Sequence, residues 1–325
     1  MKLPRRKFLH LAAGAAALPT ISRTARAQAY PARSVHWIVG FPPGGGADTV
    51  ARIIASWLSE RLGQQVIIEN RPGAGTNIAV QAVVNSLPDG YTLLMFGLNN
   101  VLNVSMFPNL PFDFRRDIAP VCGLVAYPMV LVAHPSVPAK TVAELIAHAK
   151  ANPGKVSIAS YGTGTTSHMA AELLKIMAGI NMVHVPYRGS APMVTDLIAG
   201  QVQVAFDVMV TSLPHVHTGA LRALAVAGSN RFDMLPEVPT IGETLPGFEV
   251  RTWTGVGVPK GTSTEIITPL AREINAGLAN PTIKERLAQV GTIPMIFTTA
   301  EFSDYIAAEY KKWAKVVEVA GIKPE

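Results

Sequence analysis

Two glycine-rich turns, Phe41–Asp48 and Tyr161–His168, each join a short apolar run to an amphipathic helical pattern. The apolar runs, Val35–Val39 and Val156–Ala159, have the length and composition of buried strands. A strand that ends in glycines at a helix start leaves several backbone N–H groups without intrahelical partners. These groups and the positive end of the helix dipole can bind an anionic oxygen. Two such turns in separate strand–helix runs predict two lobes that close on one small anion.

Strand and helix patterns alternate along the whole chain, which predicts an α/β fold with mainly parallel sheets flanked by helices. The length of 325 residues exceeds what one hydrophobic core usually organises, so two lobes are expected. Two extended runs without an intervening helix, 119–133 and 248–258, are long enough to cross between lobes, and we interpret them as hinge strands. The predicted first lobe therefore comprises residues 28–127 and 252–325, and residues 128–251 form the second.

Residues 1–27 have the features of a cleaved signal peptide. A basic start precedes the alanine-rich apolar core Leu11–Leu18, which is shorter than the roughly 20 residues that a membrane span needs. The segment Ala25–Ala27 then matches the small-x-small cleavage pattern, which predicts a mature start at position 28 and export to the periplasm. The pair Arg5 and Arg6 favours the twin-arginine route, although Pro4 departs from that motif and leaves the general secretory route as the alternative.

Removal of this segment lowers the formal net charge of the chain from +6 to zero. Residues 1–27 hold six of the 28 Lys and Arg residues and none of the 22 Asp and Glu residues, so 22 of each sign remain. A mature chain with no net charge gives no basis for nucleic-acid binding. The single cysteine, Cys122, has no intramolecular partner and lies in an apolar run, which favours burial.

Seven segments carry a resemblance to a known family, in order along the chain: Ile38–Asp48, Glu69–Gly75, Pro88–Leu93, Tyr161–His168, His184–Gly189, Leu221–Ala225 and Leu235–Thr240. With them the chain resembles the Bug (TctC-like) receptors, the periplasmic solute-binding proteins of tripartite tricarboxylate transporters. The resemblance implies a type II periplasmic-binding fold whose two lobes, joined by two hinge strands, hold a small carboxylate. It implies a di- or tricarboxylate, an acidic amino acid or an aromatic acid as ligand, membrane transporter subunits as partners, and a monomer without cofactor, metal or catalytic residues.

Ligands of open α/β sheets lie beyond the carboxyl ends of strands, against helix N-termini. Residues at such places form the predicted ligand site: Phe41, Pro43, Gly44, Gly45, Gly46, Ala47, Asp48, Asn70, Gly75, Thr76, Asn77, Tyr161, Gly162, Thr163, Gly164, Thr165, Thr166, Ser167, Tyr187 and Asp207. Hydroxyls of the second turn could instead only cap its helix. The carboxylate of Asp48 would repel a bare carboxylate, so we expect a structural role for it or a contact with an ammonium group. Arg188 could line the site or form a surface ion pair.

Two other functions are alternatives to a transport receptor. The chain lacks the G-x-S-x-G, H-E-x-x-H and C-x-x-C motifs and any phosphate-binding lysine loop. Ser167 and His168 could be imagined as nucleophile and base of a hydrolase, but neighbours on a helix point in different directions. An exported hydrolase is therefore a minor alternative. A solute sensor that uses the same cleft for signalling stays open, because the sequence carries no recognisable partner motif.

Overall fold

The structure is a computed structural model that describes residues 30–107 and 109–320. The predicted signal peptide and its cleavage site lie outside the described residues. Eleven strands are described: β1 Val35–Val39, β2 Val66–Asn70, β3 Thr92–Gly97, β4 Ile118–Tyr127, β5 Met129–Ala133, β6 Ser157–Ser160, β7 Val183–Pro186, β8 Val204–Val208, β9 Arg222–Val226, β10 Thr252–Pro259 and β11 Ile293–Pro294.

Eleven α-helices are described in the same parts of the chain: α1 Gly46–Leu62, α2 Asn77–Val84, α3 Leu98–Met106, α4 Phe114–Asp117, α5 Val142–Ala151, α6 Thr166–Ala178, α7 Ser190–Ile198, α8 Met209–His217, α9 Thr264–Ala279, α10 Pro281–Gln289 and α11 Thr299–Ala320. Short 3-10 turns lie at Ala74–Thr76 and Ile241–Glu243. None of the helices in this described part combines the length and the apolar composition that crossing a membrane requires.

The first sheet has the strand order β11-β4-β10-β3-β1-β2. Strands β1, β2 and β3 run parallel, whereas β10 is antiparallel to both β3 and β4. Helices α1 and α2 pack on the parallel strands, and α9 and α11 pack against β4. We call this sheet with its flanking helices the first lobe.

The second sheet has the strand order β7-β6-β8-β5-β9. Strands β6, β7 and β8 run parallel, and β5 is antiparallel to β8 and β9. Helices α6, α7 and α8 pack on this sheet, which together with them forms the second lobe. The chain passes into it at Pro128, between β4 and β5, and returns between β9 and β10.

The architecture confirms the predicted α/β fold with two lobes, but each sheet is mixed rather than mainly parallel. The antiparallel pairs involve β4, β5, β9 and β10, the strands that lead the chain out of one sheet and back again. A strand that returns after a crossing runs opposite to the strand that left, so such connections build antiparallel pairs. The two predicted lobe boundaries stay predictions. Cys122 is buried in β4, as expected, and burial raises the pKa of its thiol.

Candidate functional site

Two neighbouring cavities lie where strand ends of the two sheets meet. The inner cavity has a volume of about 50 Å³ and the outer cavity has a volume of about 310 Å³. Rings of Phe41, from the first lobe, and Tyr161, from the second, line both cavities and meet edge to face with centroids 6.0 Å apart. This ring pair therefore forms the boundary between the inner and the outer cavity.

The inner cavity is built from both lobes and is lined by neutral groups: Phe41, Gly45, Gly46, Ala47, Asn99, Tyr127, Tyr161, Ser190, Val208, Thr252, Trp253 and Thr254. The outer cavity is lined mostly by loops: Gly40, Phe41, Pro72, Gly73, Ala74, Gly75, Thr76, Phe107, Tyr161, Gly162, Thr163, Thr165, Pro186, Tyr187 and Arg188. The inner cavity thus combines aromatic walls with hydroxyl and amide groups, whereas the lining of the outer one includes four glycines and two prolines.

Four helices begin at the wall of the inner cavity: α1, α3, α7 and α8. Their N-cap residues are Gly45, Gly97, Gly189 and Val208, and none of these provides a side-chain cap. Backbone N–H groups in the first turn of a helix have no intrahelical acceptor, and the helix dipole makes this end positive. The positive ends of these helices therefore meet at a cavity whose described lining residues include no cationic side chain.

The first glycine turn is held by Asp48, which faces its own loop. The carboxylate accepts hydrogen bonds from Gly44 N (3.0 Å), Arg52 Nε (2.9 Å) and Asn70 Nδ2 (2.9 Å). Burial alone would raise the pKa of Asp48, but the hydrogen bonds from these three groups outweigh it and keep the pKa below its usual value. Asn70 also donates to the carbonyl of Phe41 (2.9 Å). Asp48 and Asn70 thus shape the turn without lining either cavity.

Asp207 lies fully buried behind the wall of the inner cavity. Its carboxylate accepts hydrogen bonds from Ser190 Oγ, from Thr211 Oγ1 (2.5 Å) and from Ser212 Oγ (2.6 Å). Burial raises the pKa of Asp207 in spite of these hydrogen bonds. A carboxyl group that keeps its proton is neutral, so it repels a neighbouring anion less than an ionised carboxylate does. Ser190, which starts α7 and lines the cavity, is thereby fixed from behind.

Tyr161 links the second glycine turn to β10. Its buried hydroxyl hydrogen-bonds with Thr166 and Thr252, and burial raises its pKa, as does the nearby Asp207. Thr166 Oγ1 also lies 3.2 Å from Thr252 Oγ1, a contact between the two lobes. The hydroxyls of Tyr161, Thr166 and Thr252 therefore form a hydrogen-bonded cluster between the two lobes at the inner cavity.

Several polar groups of the second glycine turn find hydrogen-bond partners within the second lobe. Thr165 caps α6, because its Oγ1 accepts from His168 N (3.5 Å) and donates to Gly162 O (2.6 Å). Gly164 N donates to His168 Nδ1 (3.3 Å). Ser167 Oγ donates to the carbonyl of Phe206 (2.6 Å), so Ser167 and His168 do not form a nucleophile–base pair. This turn therefore offers fewer open donors than the first.

A strained loop forms part of the outer cavity. Ala74 and Thr76 have positive φ angles of 47° and 78°, which are costly for residues with a Cβ. Buried asparagines of α3 support this loop: Asn99 Nδ2 donates to Thr76 Oγ1 (2.6 Å), and Asn103 Nδ2 donates to Gly75 O (2.7 Å). Strain that is held by several buried hydrogen bonds is typical of binding sites.

The structure brings eleven of the twenty predicted site residues to the cavity walls. Nine others lie behind the walls or within the turns: Pro43, Gly44, Asp48, Asn70, Asn77, Gly164, Thr166, Ser167 and Asp207. Residues with polar side-chain groups that line the inner cavity but were not in the predicted set are Asn99, Tyr127, Ser190, Thr252, Trp253 and Thr254. Whether any of these residues binds ligand stays a prediction.

Three side chains of the second lobe, His168, Glu172 and His184, each place one potential metal ligand within 4.8 Å of the others. The imidazole rings stack with centroids 4.1 Å apart and planes 12° apart. Because Gly164 N donates to His168 Nδ1, this nitrogen carries a lone pair and Nε2 carries the proton. A cation on Nε2 would need the opposite tautomer. The cluster therefore fits an internal polar group better than a metal centre.

The chain is similar to known proteins along most of its length. The family model for the tripartite tricarboxylate transporter family receptor matches residues 50–322. Protein BugT of Bordetella pertussis is 39% identical over 306 residues, covering 93% of this chain and 94% of BugT.

Solved structures are similar over nearly the whole chain. A Rhodopseudomonas palustris protein solved with adipate is 35% identical with a TM-score of 0.88, covering 91% of this chain and 100% of that one. MatC from the same organism, with bound malate, is 32% identical with a TM-score of 0.85, covering 89% and 100%. The predicted resemblance is confirmed: the chain belongs to the tripartite tricarboxylate transporter family of receptors, which are solute-binding proteins and not enzymes.

Proposed function

We propose that this protein captures a small organic carboxylate between its lobes, with one carboxylate group in the inner cavity. The observation that carries the proposal is the meeting of four helix starts without side-chain caps at a cavity lined by neutral groups. Backbone donors and helix dipoles stabilise an anion there, and no buried cation has to be left unpaired when the ligand leaves. Adipate and malate, named for two structural neighbours, belong to the same chemical class.

The protein then acts in the periplasm and delivers its ligand to membrane subunits of a tripartite tricarboxylate-type transporter. Support comes from the family and from the signal-peptide features of residues 1–27. A role as a solute sensor uses the same cleft and remains the second candidate. Deletion of the genes for the membrane subunits of such a transporter would distinguish the two functions, since uptake of the ligand stops without these subunits whereas a signalling response continues.

Movement of the lobes follows from the two chain crossings near Pro128 and Arg251. We expect residues 126–129 and 251–254 to act as hinges, since ligand contacts from both lobes exist together only in the closed form. Small-angle scattering with and without saturating ligand should show compaction of a monomer. The same radius of gyration in both states would contradict the proposal.

Carboxylate binding is tested by thermal unfolding of the exported protein in the presence of small carboxylates. Ligand at roughly 100 times its dissociation constant stabilises the folded state by about 2.7 kcal/mol, which shifts the melting temperature measurably. The matched control for each acid is its neutral amide, which has nearly the same shape without the charge. Equal stabilisation by acid and amide, or none by any carboxylate, would refute the proposal.

A further inference from the structure

The outer cavity has a charge pattern that the inner cavity lacks. Among the described residues that line the two cavities, Arg188 is the one whose side chain carries a charge. Within the described chain its guanidinium has neither an ion pair nor a hydrogen bond, although most arginines of the surface, such as Arg52 and Arg231, pair with a carboxylate. A cationic group that lines a cavity without a counter-ion favours an anionic occupant.

The backbone on both sides of Arg188 is firmly placed. Tyr187 N donates to Ser160 O (2.9 Å), and the hydroxyl of Tyr187 donates to Asp196 (2.8 Å). Gly189 has a φ of +127°, and a Cβ at this position would lie 2.6 Å from Pro42 of the first lobe. The base of the arginine side chain is therefore fixed against both lobes, while its exposed end can move toward a ligand.

We propose that Arg188 is a specificity-determining residue: it binds the second carboxylate of a dicarboxylate that spans both cavities, and thereby sets the preference of this chain for dicarboxylates over monocarboxylates. One carboxylate lies at the helix starts of the inner cavity, the connecting carbons pass the ring pair of Phe41 and Tyr161, and the other carboxylate pairs with Arg188. This inference rests on the proposed function, which assigns the first carboxylate to the inner cavity.

The chemistry of the outer cavity suits such an end group. Guanidinium binds carboxylate through two parallel N–H···O hydrogen bonds, which adds orientation to charge attraction. Thr163, in the second glycine turn, offers a hydroxyl on the same wall. The lining contains no carboxylate that would compete, because Asp196 lies outside it and accepts from Tyr187. Since Arg188 is exposed, its contribution should be moderate and screened by salt.

The test is calorimetric titration with linear dicarboxylates and with monocarboxylates of the same carbon number. We expect the wild-type protein to bind its best dicarboxylate at least about tenfold more tightly than the matching monocarboxylate. Arg188→Gln should remove most of this preference and leave monocarboxylate affinity within about twofold, whereas Arg188→Lys should restore part of it. Arg286→Gln, which removes an exposed guanidinium outside both cavities, is the matched control and should change neither affinity.

Salt provides a second readout. When the salt concentration rises from about 0.05 M to about 0.5 M, the affinity of the wild type for the dicarboxylate should decrease. The affinity of Arg188→Gln should decrease less. An unchanged dicarboxylate preference in Arg188→Gln, or a wild type that prefers monocarboxylates, would overturn the role of Arg188 and leave carboxylate binding intact. A wild type that binds no carboxylate would instead refute the proposed function itself.

Discussion

The two glycine turns are alike in sequence but differ in what they leave unpaired. In the first turn the N-cap residue of the helix is Gly45, which provides no side-chain hydrogen bond. Gly45 lines the inner cavity. In the second, Thr165 caps the helix and His168 accepts from the amide of Gly164. We therefore expect a glycine-rich helix start to bind an anion through the amides that have no internal acceptor, which excludes Gly44 N, held by Asp48, in the first turn and Gly164 N, held by His168, in the second.

The second turn instead contributes to contact between the lobes. A Cβ on Gly164 would lie 2.7 Å from Asn103 Oδ1, and one on Gly75 would lie 2.9 Å from the carbonyl of Thr163. Glycines at these positions allow the backbone of the second lobe to approach the strained loop of the first. We infer that the first turn supplies the contacts to the carboxylate in the inner cavity and that the second turn contributes mainly to lobe closure.

The largest expected effect is that of Gly46→Val in the first turn. An added Cβ would lie 3.0 Å from Val208 Cγ2 and 3.4 Å from Val210 Cβ, so the larger side chain fills the inner cavity and holds the lobes apart. The ligand-induced stabilisation of about 2.7 kcal/mol at roughly 100 times the dissociation constant should disappear in thermal unfolding. Gly228→Val, away from both cavities, is the control. Full stabilisation of Gly46→Val by ligand would place the site elsewhere.

A smaller effect on binding is expected for Gly164→Ala in the second turn. The φ of +77° and the short distance to Asn103 should destabilise the ligand-free protein by about 1–2 kcal/mol, measured by urea unfolding. Ligand should still stabilise the variant, though less than the wild type, because closure is strained and the donors of the first turn remain. Complete loss of binding with unchanged stability would show that the second turn binds the ligand directly.

Thr165→Ala tests whether the hydroxyl of Thr165 serves only to cap the helix that begins in the second turn. Loss of an N-cap hydroxyl should reduce the free energy of unfolding by about 1 kcal/mol. Because Thr165 binds its own turn, the shift caused by a saturating monocarboxylate should stay the same within about 0.5 kcal/mol. A reduction of that shift comparable to the effect of Gly46→Val would remove the distinction between the turns.

The smallest effect concerns the pH dependence contributed by Asp207. Burial holds its pKa in the folded protein above the value in the unfolded chain, so the folded state keeps the proton to higher pH. Stability then falls as the pH rises from about 4 through the folded-state pKa. The urea midpoints of Asp207→Asn should not show this decline. The stability of the variant relative to the wild type should therefore increase as the pH rises. A difference between the two proteins that is independent of pH would contradict the assignment.

Much of the fold follows from local patterns. Helices α1 and α6 begin inside the two predicted turns, and β1 matches its apolar run, since glycine punctuation and periodicity act over a few residues. Helix α3 gives no such signal, because Asn99, Asn100 and Asn103 lower its helix propensity. It is stable because these side chains donate to the loop that precedes α2. Helix α10 was not predicted, although Asn280–Pro281 is a sequence signal for its start, an N-cap followed by proline at the first helical position.

The residues that line the site were harder to predict from the sequence than the fold was. Phe41, Gly45 and Tyr161 could be placed from the glycine turns alone, because they belong to a local strand–helix connection. Thr252 and Thr254 lie on a returning strand and reach the inner cavity only because β10 inserts between β3 and β4. That insertion depends on contacts between distant segments, which one-dimensional periodicity does not record.

A crystal structure of the exported protein with a bound dicarboxylate tests the central claim most directly. The account predicts one carboxylate in the inner cavity, within hydrogen-bond distance (about 2.7–3.2 Å) of backbone amides at Gly45 and Gly46. It also predicts that Gly164 N keeps its hydrogen bond to His168. A ligand held by the amides of the second turn, with no ligand atom in the inner cavity, would contradict it.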